Sequence, residues 1–394
     1  MQLSKKISVL ISLPILFSVS NFVTAGSFDD AFKNAKTTGQ LRLGYISVAP
    51  DVAGNPTTTG AGVGGEIKFE TAKWNNIQFA IAPYFIEKLD ALTADVTAKT
   101  NGDYFNSTNQ GYAYIGEAYI NYNFGKGGVR LGRQKLDTPF INTDDIRMFS
   151  NTFTAAWLNI NLTKALTLQT GLVSAWAGFD SGSSQEKFKK ASNNGVTALG
   201  ANYKYNDSLA AQAWYYNFDK EYSLLYLDTT YTTGGVEIGA QVANFTEAKS
   251  TSTKNADGSI IGVSVSYTTG PFTFSAVMNS GANATGKSAD LGLGGGNFYA
   301  AMDETTIAGL NDVQARVLSF KYAVSNKFTA GVALGHFEDK TKASNKDETD
   351  LMLGYNVSDT LGLEFVHTVV DNKGAPADTA TNFSRQTARV TYTF

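Results

Sequence analysis

The chain has 394 residues, with 32 Lys and Arg against 35 Asp and Glu, no Cys, 38 Gly, 7 Pro, 25 Phe and 19 Tyr. Charged residues make up only 17%, low for a soluble domain, for which roughly 25% is usual. Without Cys there is no disulfide framework, thiolate metal site or Cys nucleophile, and a net charge of −3 with no basic run gives nucleic acid nothing to bind.

The first segment reads as an export signal. Lys5 and Lys6 precede an apolar stretch from Ile7 to Val19, and Val23-Thr24-Ala25 supplies the small residues of a cleavage site, with the cut expected after Ala25. The apolar stretch is shorter than the ~20 residues of a membrane-spanning helix, and Pro14 interrupts it. Loss of residues 1–25 removes Lys5 and Lys6 and leaves 30 cations against 35 anions, a net charge of −5. Beyond residue 25 no apolar run is long enough for a spanning helix, which leaves a closed barrel as the form in which an exported chain could enter a membrane.

From residue 39 onward one pattern repeats to the end. Leu41, Leu43 and Tyr45 alternate with Gln40, Arg42 and Gly44; Ile67 and Phe69 alternate with Glu66, Lys68 and Glu70; Ile261, Val263, Val265 and Tyr267 alternate with Gly262, Ser264 and Ser266. Alternation of this kind needs an apolar and a polar environment on opposite faces of a sheet. Eighteen such strands are predicted, starting near Gln40, Gly62, Ile77, Tyr112, Gly128, Phe153, Ala165, Val196, Ser208, Tyr222, Val236, Ser259, Phe272, Asp312, Lys327, Glu348, Thr360 and Phe383. Short connections such as Asn75-Asn76, Asn206-Asp207 and Ser325-Asn326 carry tight-turn chemistry and alternate with longer polar ones, among them 89–111, 135–152, 178–194 and 281–311.

An even number of antiparallel strands, with short turns at one end and long loops at the other, is the pattern of an outer-membrane β-barrel. A β-sandwich has no reason to segregate its loops by length. Trp74, Phe124, Tyr205, Tyr231, Tyr267, Phe272, Tyr322, Phe328, Tyr355 and Phe394 fall near the short turns, as an aromatic girdle at one membrane interface requires. Residues 26–38 are expected as a short periplasmic segment and residues 39–394 as the barrel. Val390, Tyr392 and Phe394 share one face of the last strand, which looks like the signal that the barrel-assembly machinery reads during biogenesis.

The stretch from Gly128 to Met148, containing Arg130-Leu131-Gly132-Arg133 and Asp137-Thr138-Pro139-Phe140, followed by Asn151-Thr152-Phe153, resembles the strand-and-loop signature of OprD-family porins. The opening Phe28-Asp29-Asp30-Ala31-Phe32 and Gly39-Gln40-Leu41-Arg42 resembles the start of mature members from Campylobacter-like bacteria. This resemblance implies an all-β, eighteen-stranded transmembrane barrel in the bacterial outer membrane, with the third long loop folded inward to narrow a pore. The function it implies is passive diffusion of small hydrophilic solutes, carboxylate-bearing ones such as amino acids, small peptides and organic acids among them, without enzymatic chemistry. A general trimeric porin of the major-outer-membrane-protein type is the alternative, and with it a homotrimeric assembly; a barrel enzyme or a surface adhesin ranks below both.

Of the seven arginines, Arg42, Arg385 and Arg389 have inward parity on the first and last strands, which are neighbours in a closed barrel. Arg130 has inward parity too, and Arg133 joins this basic track only if a bulge at Gly132 resets the register. The loop from Lys135 to Thr152 carries Asp137, Asp144, Asp145 and Arg147 among Pro139, Phe140, Ile141 and Ile146, and so many large apolar residues suit a packed loop better than a solvated one. Its acids are expected to face the basic wall, and a Ca²⁺ site is the alternative use of them. No other cofactor is expected. Gly281 to Ser288 matches the P-loop pattern literally, but the glycine-rich continuation is a loop and lacks the helix that cradles phosphate. His336 and His367 are expected as surface or girdle residues, and Asp303-Glu304 is expected in an outer loop.

Overall fold

Tight turns organise the chain. Asn75 and Asn76 both adopt positive φ (48° and 67°), as do Gly234 and Gly235 (53° and 82°), the geometry that returns a strand beside its predecessor without splaying the pair. In this computed structural model, which describes residues 25–52, 54–92, 99–248, 254–283, 287–340, 344–373 and 382–394, such turns join eighteen long strands. They are β1 (Lys36–Pro50), β2 (Thr58–Glu70), β3 (Ile77–Lys88), β4 (Tyr112–Phe124), β5 (Gly127–Gln134), β6 (Thr152–Asn161), β7 (Leu166–Ala177), β8 (Val196–Lys204) and β9 (Leu209–Phe218). The ring continues with β10 (Tyr222–Thr233), β11 (Val236–Glu247), β12 (Gly258–Thr269), β13 (Phe272–Asn283), β14 (Val313–Ala323), β15 (Phe328–Asp339), β16 (Ser344–Asn356), β17 (Leu361–Lys373) and β18 (Phe383–Thr393).

Every long strand pairs antiparallel with the next, and β1 pairs with β18, setting Leu41 opposite Tyr392 and Val48 opposite Arg385. The sheet is therefore a closed barrel with no free edge. Polarity runs opposite to that of a soluble fold. On β12, Ile261, Val263, Val265 and Tyr267 are exposed on the outside, whereas Ser264 is fully buried inside. Tyr205, Tyr231, Tyr267, Tyr355 and Phe394 are exposed near the short turns, where amphipathic rings meet the membrane interface.

Strand existence follows the sequence pattern closely, but some ends differ. β1 begins at Lys36, β2 at Thr58 and β16 at Ser344, each four residues before the expected start. These extensions are polar or glycine-rich, so they carry no alternation, yet the backbone ladder continues past the apolar band. Residues 26–38 are accordingly not one separate segment. They contain a short helix α1 (Phe28–Lys33), capped by Ser27, and the first residues of β1. The expected leader, residues 1–24 of it, lies outside the described residues.

Loop residues pack onto the inner wall of the barrel. One buried cluster gathers Phe140, Ile141, Trp157, Tyr216, Tyr226, Phe245 and Phe298; a second gathers Ile46, Tyr84, Ile86, Tyr104, Met148 and Phe149. Both ends of the segment 135–151 thus have apolar anchors on inward-facing strand residues.

Candidate functional site

The segment between β5 and β6 is held across the lumen by its side chains. Phe140 is fully buried, with its ring edge-on to Tyr216, Tyr226, Phe245 and Phe298 at centroid distances of 5.9, 5.3, 6.2 and 5.3 Å. Five residues further on, Asp145 reaches β1, where both its oxygens accept 2.6 Å bonds from the Arg42 guanidinium. β10, which carries Tyr226, and β1 stand nine strands apart in the ring of eighteen, so the segment bridges opposite walls.

The wall at β1 and β18 is basic. By register, Arg385 lies level with Val48, Arg389 with Gly44, and Thr391 with Arg42, so three arginines descend the same side of the lumen. At ~3.3 Å per residue, the steps between them are roughly 13 Å and 7 Å. All three hold protein carboxylates. Arg42 takes Asp145 and also donates to the carbonyls of Arg147 and Met148 at 3.3 and 3.1 Å. Arg389 donates twice to Glu364 on β17, at 2.9 and 2.6 Å, and to the Arg147 carbonyl at 3.0 Å. Arg385, only 2% exposed, forms ion pairs with Asp303 and Glu304.

Asp303 and Glu304 therefore depart from expectation. Alternation assigns them to an outer loop, but the loop between β13 and β14 descends into the barrel. Buried carboxylates on β16 hold it there: Glu348 accepts the backbone N–H groups of Glu304 and Thr305 at 2.9 and 2.7 Å, and Asp350 accepts that of Asp303 at 3.3 Å. Glycines let this loop lie directly on the first one. The Leu293 N–H donates to the Phe140 carbonyl and the Asn142 N–H to the Leu293 carbonyl. Gly292, at φ 74°, passes so close that a β-carbon there would sit 2.3 Å from the Phe140 carbonyl oxygen. Arg147 ties the assembly together. Its guanidinium donates to Asp103 at 3.2 Å and Glu304 at 3.3 Å, and it lies 4.5 Å from the ring centroid of Phe179.

Other expected members of the site sit elsewhere. Arg130 faces inward but lies over the Tyr119 ring at 4.3 Å, paired with Asn121 near the short-turn end. Arg133 leaves the basic track. No register shift occurs between β4 and β5 at Gly132, so Arg133 opposes Ala118 on the outward side with Leu131, where it caps the Ile115 carbonyl and stacks on Phe188. Asp137 turns back into its own loop and accepts from the backbone N–H and hydroxyl of Thr143. Asp144, at φ 32°, packs beside Gly295, whereas Asp145 pairs with Arg42 on the basic wall. Among the described residues no three acid or imidazole groups converge as metal ligands.

The Asp145 carboxyl is held well below the usual carboxylate range. Burial alone would raise it, but the Arg42 charge and its paired hydrogen bonds, helped by Arg389 and Lys135, outweigh that penalty. Beneath the docked loop lies a cavity of about 430 Å³ lined by Gln40, Arg42, Lys135, Asp145, Glu364 and Arg389, and extending to Asn356 and Asp359 at a short turn. Within the P-loop-like stretch, Lys287 binds Glu247 at 2.6 Å and no helix follows Ser288; residues 284–286 lie outside the described residues. His336 pairs with Asp347 at the exposed rim.

Residues 97–332 match the family described as outer membrane porin, OprD family. No curated protein matches the chain. Among solved structures, Pseudomonas aeruginosa OpdK with vanillate shares 17% identity, with 92% of this chain and 99% of that one covered at a TM-score of 0.77. A BenF-like porin from Pseudomonas fluorescens Pf-5 shares 14%, with 92% and 100% covered and a TM-score of 0.79. Acinetobacter baumannii OccAB4 shares 15%, with 91% and 98% covered and a TM-score of 0.76. At these identities the likeness is one of fold.

Proposed function

This chain belongs to the OprD family of outer membrane porins, and from that membership we propose that, among the small solutes diffusing passively through its barrel, it favours those carrying a carboxylate. The observation behind this reading is the descent of Arg385, Arg389 and Arg42 along one wall, each already gripping a carboxylate of the protein. Guanidinium groups bind carboxylates in a fixed fork, so the geometry a solute carboxylate needs is preassembled. Passage is an exchange, in which the solute group replaces Asp145, Glu364 or the Asp303-Glu304 pair and then yields to it again. The displaced acids stay close, and a solute with a nearby ammonium group compensates them. Zwitterions, amino acids and small peptides therefore suit the site better than simple organic acids. OpdK, whose structure carries vanillate, itself a carboxylate, offers a parallel at the level of fold.

Liposome swelling with matched solutes, one a carboxylate and one its neutral amide, tests the proposal. The wild type should pass the carboxylate faster, and Arg385→Gln/Arg389→Gln should lose that difference while still giving single-channel steps in a planar bilayer. A general diffusion pore passes both solutes alike in every variant. The outward face made by half-buried Val390 and exposed Tyr392 and Phe394, at the end of the chain, is proposed as the signal read by the barrel-assembly machinery.

A further inference from the structure

Helix α1 lies against the outer wall of the barrel at the short-turn end, and its sequence is divided by polarity. At 100° per residue, Phe28, Ala31 and Phe32 fall on one arc, and Asp29, Asp30 and Lys33 on the other. Ala31 is buried, and its carbonyl accepts from the Ala72 N–H in the β2–β3 turn. The two phenylalanines lie against outward-facing rings of the barrel. Phe28 meets Trp74 and Phe79 edge-on at 5.3 and 6.2 Å, and Phe32 stacks on Phe69 at 6.2 Å. Each nonetheless remains 45% exposed. Phe69 and Phe79 have the same parity as Ile67 and Ile81, both exposed in the lipid-facing band.

We propose that α1 is an interfacial anchor: it lies in the headgroup region of the phospholipid leaflet at the short-turn rim, with Phe28 and Phe32 immersed and Asp29, Asp30 and Lys33 in water. Continuity identifies the occupant, since both rings extend a surface that already faces lipid. A second copy of the chain fits less well. Six helical residues offer far less than the ~800 Å² per partner of a standard interface. Amphipathic segments of this kind settle about 5–10 Å into the boundary between headgroups and acyl chains.

The native chain has no Cys, so single labels are clean. Phe32→Cys and, separately, Asp29→Cys would carry an environment-sensitive fluorophore in full-length barrels reconstituted with brominated phosphatidylcholines, each barrel first checked for heat-modifiable mobility in SDS gels. The label at position 32 should shift to the blue and lose intensity to bromines high on the acyl chain. The label at 29 should do neither. Equal, water-like emission at both positions overturns the proposal in favour of a periplasmic appendage. Emission at 32 that ignores bromine but changes with protein-to-lipid ratio overturns it in favour of a second copy. As an independent measurement, Phe28→Ser/Phe32→Ser with a label at Lys33→Cys should increase trypsin access to the segment around Lys36; unchanged access also counts against an anchor.

Discussion

Arg42 and Asp145 show how much one partly buried pair can control. Arg42 is 5% exposed and binds three groups of the docked loop, so Arg42→Gln takes this donor from Asp145 and the Met148 carbonyl and leaves the Arg147 carbonyl to Arg389. Removing one partner of a fully buried pair typically costs ~3–5 kcal/mol, and with the Asp145 side chain 29% exposed the cost here is smaller. The loss falls on loop docking, since the barrel ladder does not depend on this contact. Arg42→Gln should therefore give folded barrels with raised single-channel conductance. The same pair sets a pH dependence. Asp145 binds its proton less readily in the docked loop than in a freed one, so docking is at full strength above the ordinary carboxylate value of about 3.9 and weakens as pH falls below it. Conductance should be flat from neutral pH down to about pH 5 and rise on further acidification. A rise that begins near neutral pH would point to a different group.

At the scale of elements, the interior is built from two loops that support each other. The segment 135–151 brings the apolar anchor Phe140; the loop between β13 and β14 brings glycines thin enough to lie on it and acids for Arg385. Gly292→Val forces a branched side chain into φ 74° and against the Phe140 carbonyl, a strain of about 1–3 kcal/mol at the junction. Conductance should increase, as it should when Phe140 to Ile146 is excised, because either change frees the same assembly. An effect confined to the excision would show that the two loops dock independently. The first loop was legible in the sequence, because Phe140, Ile141 and Ile146 are out of place in solvated chain. The second was not. Asp303 and Glu304 read as ordinary loop acids, and their partners on β16 and β18 are 44 to 82 residues away in sequence.

For the molecule as a whole, closure is the stabilising event. Every backbone polar group in the lipid zone needs a partner, and the β1–β18 ladder gives the last strand its second neighbour. Deleting Val390 to Phe394 removes the rungs to Leu41 and Leu43 together with the lipid-facing Tyr392 and Phe394. The SDS-resistant, heat-modifiable band should disappear, and far-UV circular dichroism should no longer report native β content. A truncated chain that kept the compact band would mean that the remaining seventeen strands close without the rest of β18.

Alternation determined the strands, their number and which face of each meets lipid, because side chains on a strand repeat every two residues and the barrel wall separates two solvents. It also placed Arg42, Arg385 and Arg389 on one inner wall, since first and last strands must meet. Tertiary structure decided what those arginines hold. Arg133 lost its place because Gly132 adopts φ 121° without adding a residue to the ladder, and β-periodicity cannot reveal whether a glycine bulges. Asp303, Glu304 and Glu364 became ion-pair partners because loops and neighbouring strands are brought together by ring closure, and charge pairing across such separations has no period for a sequence to display.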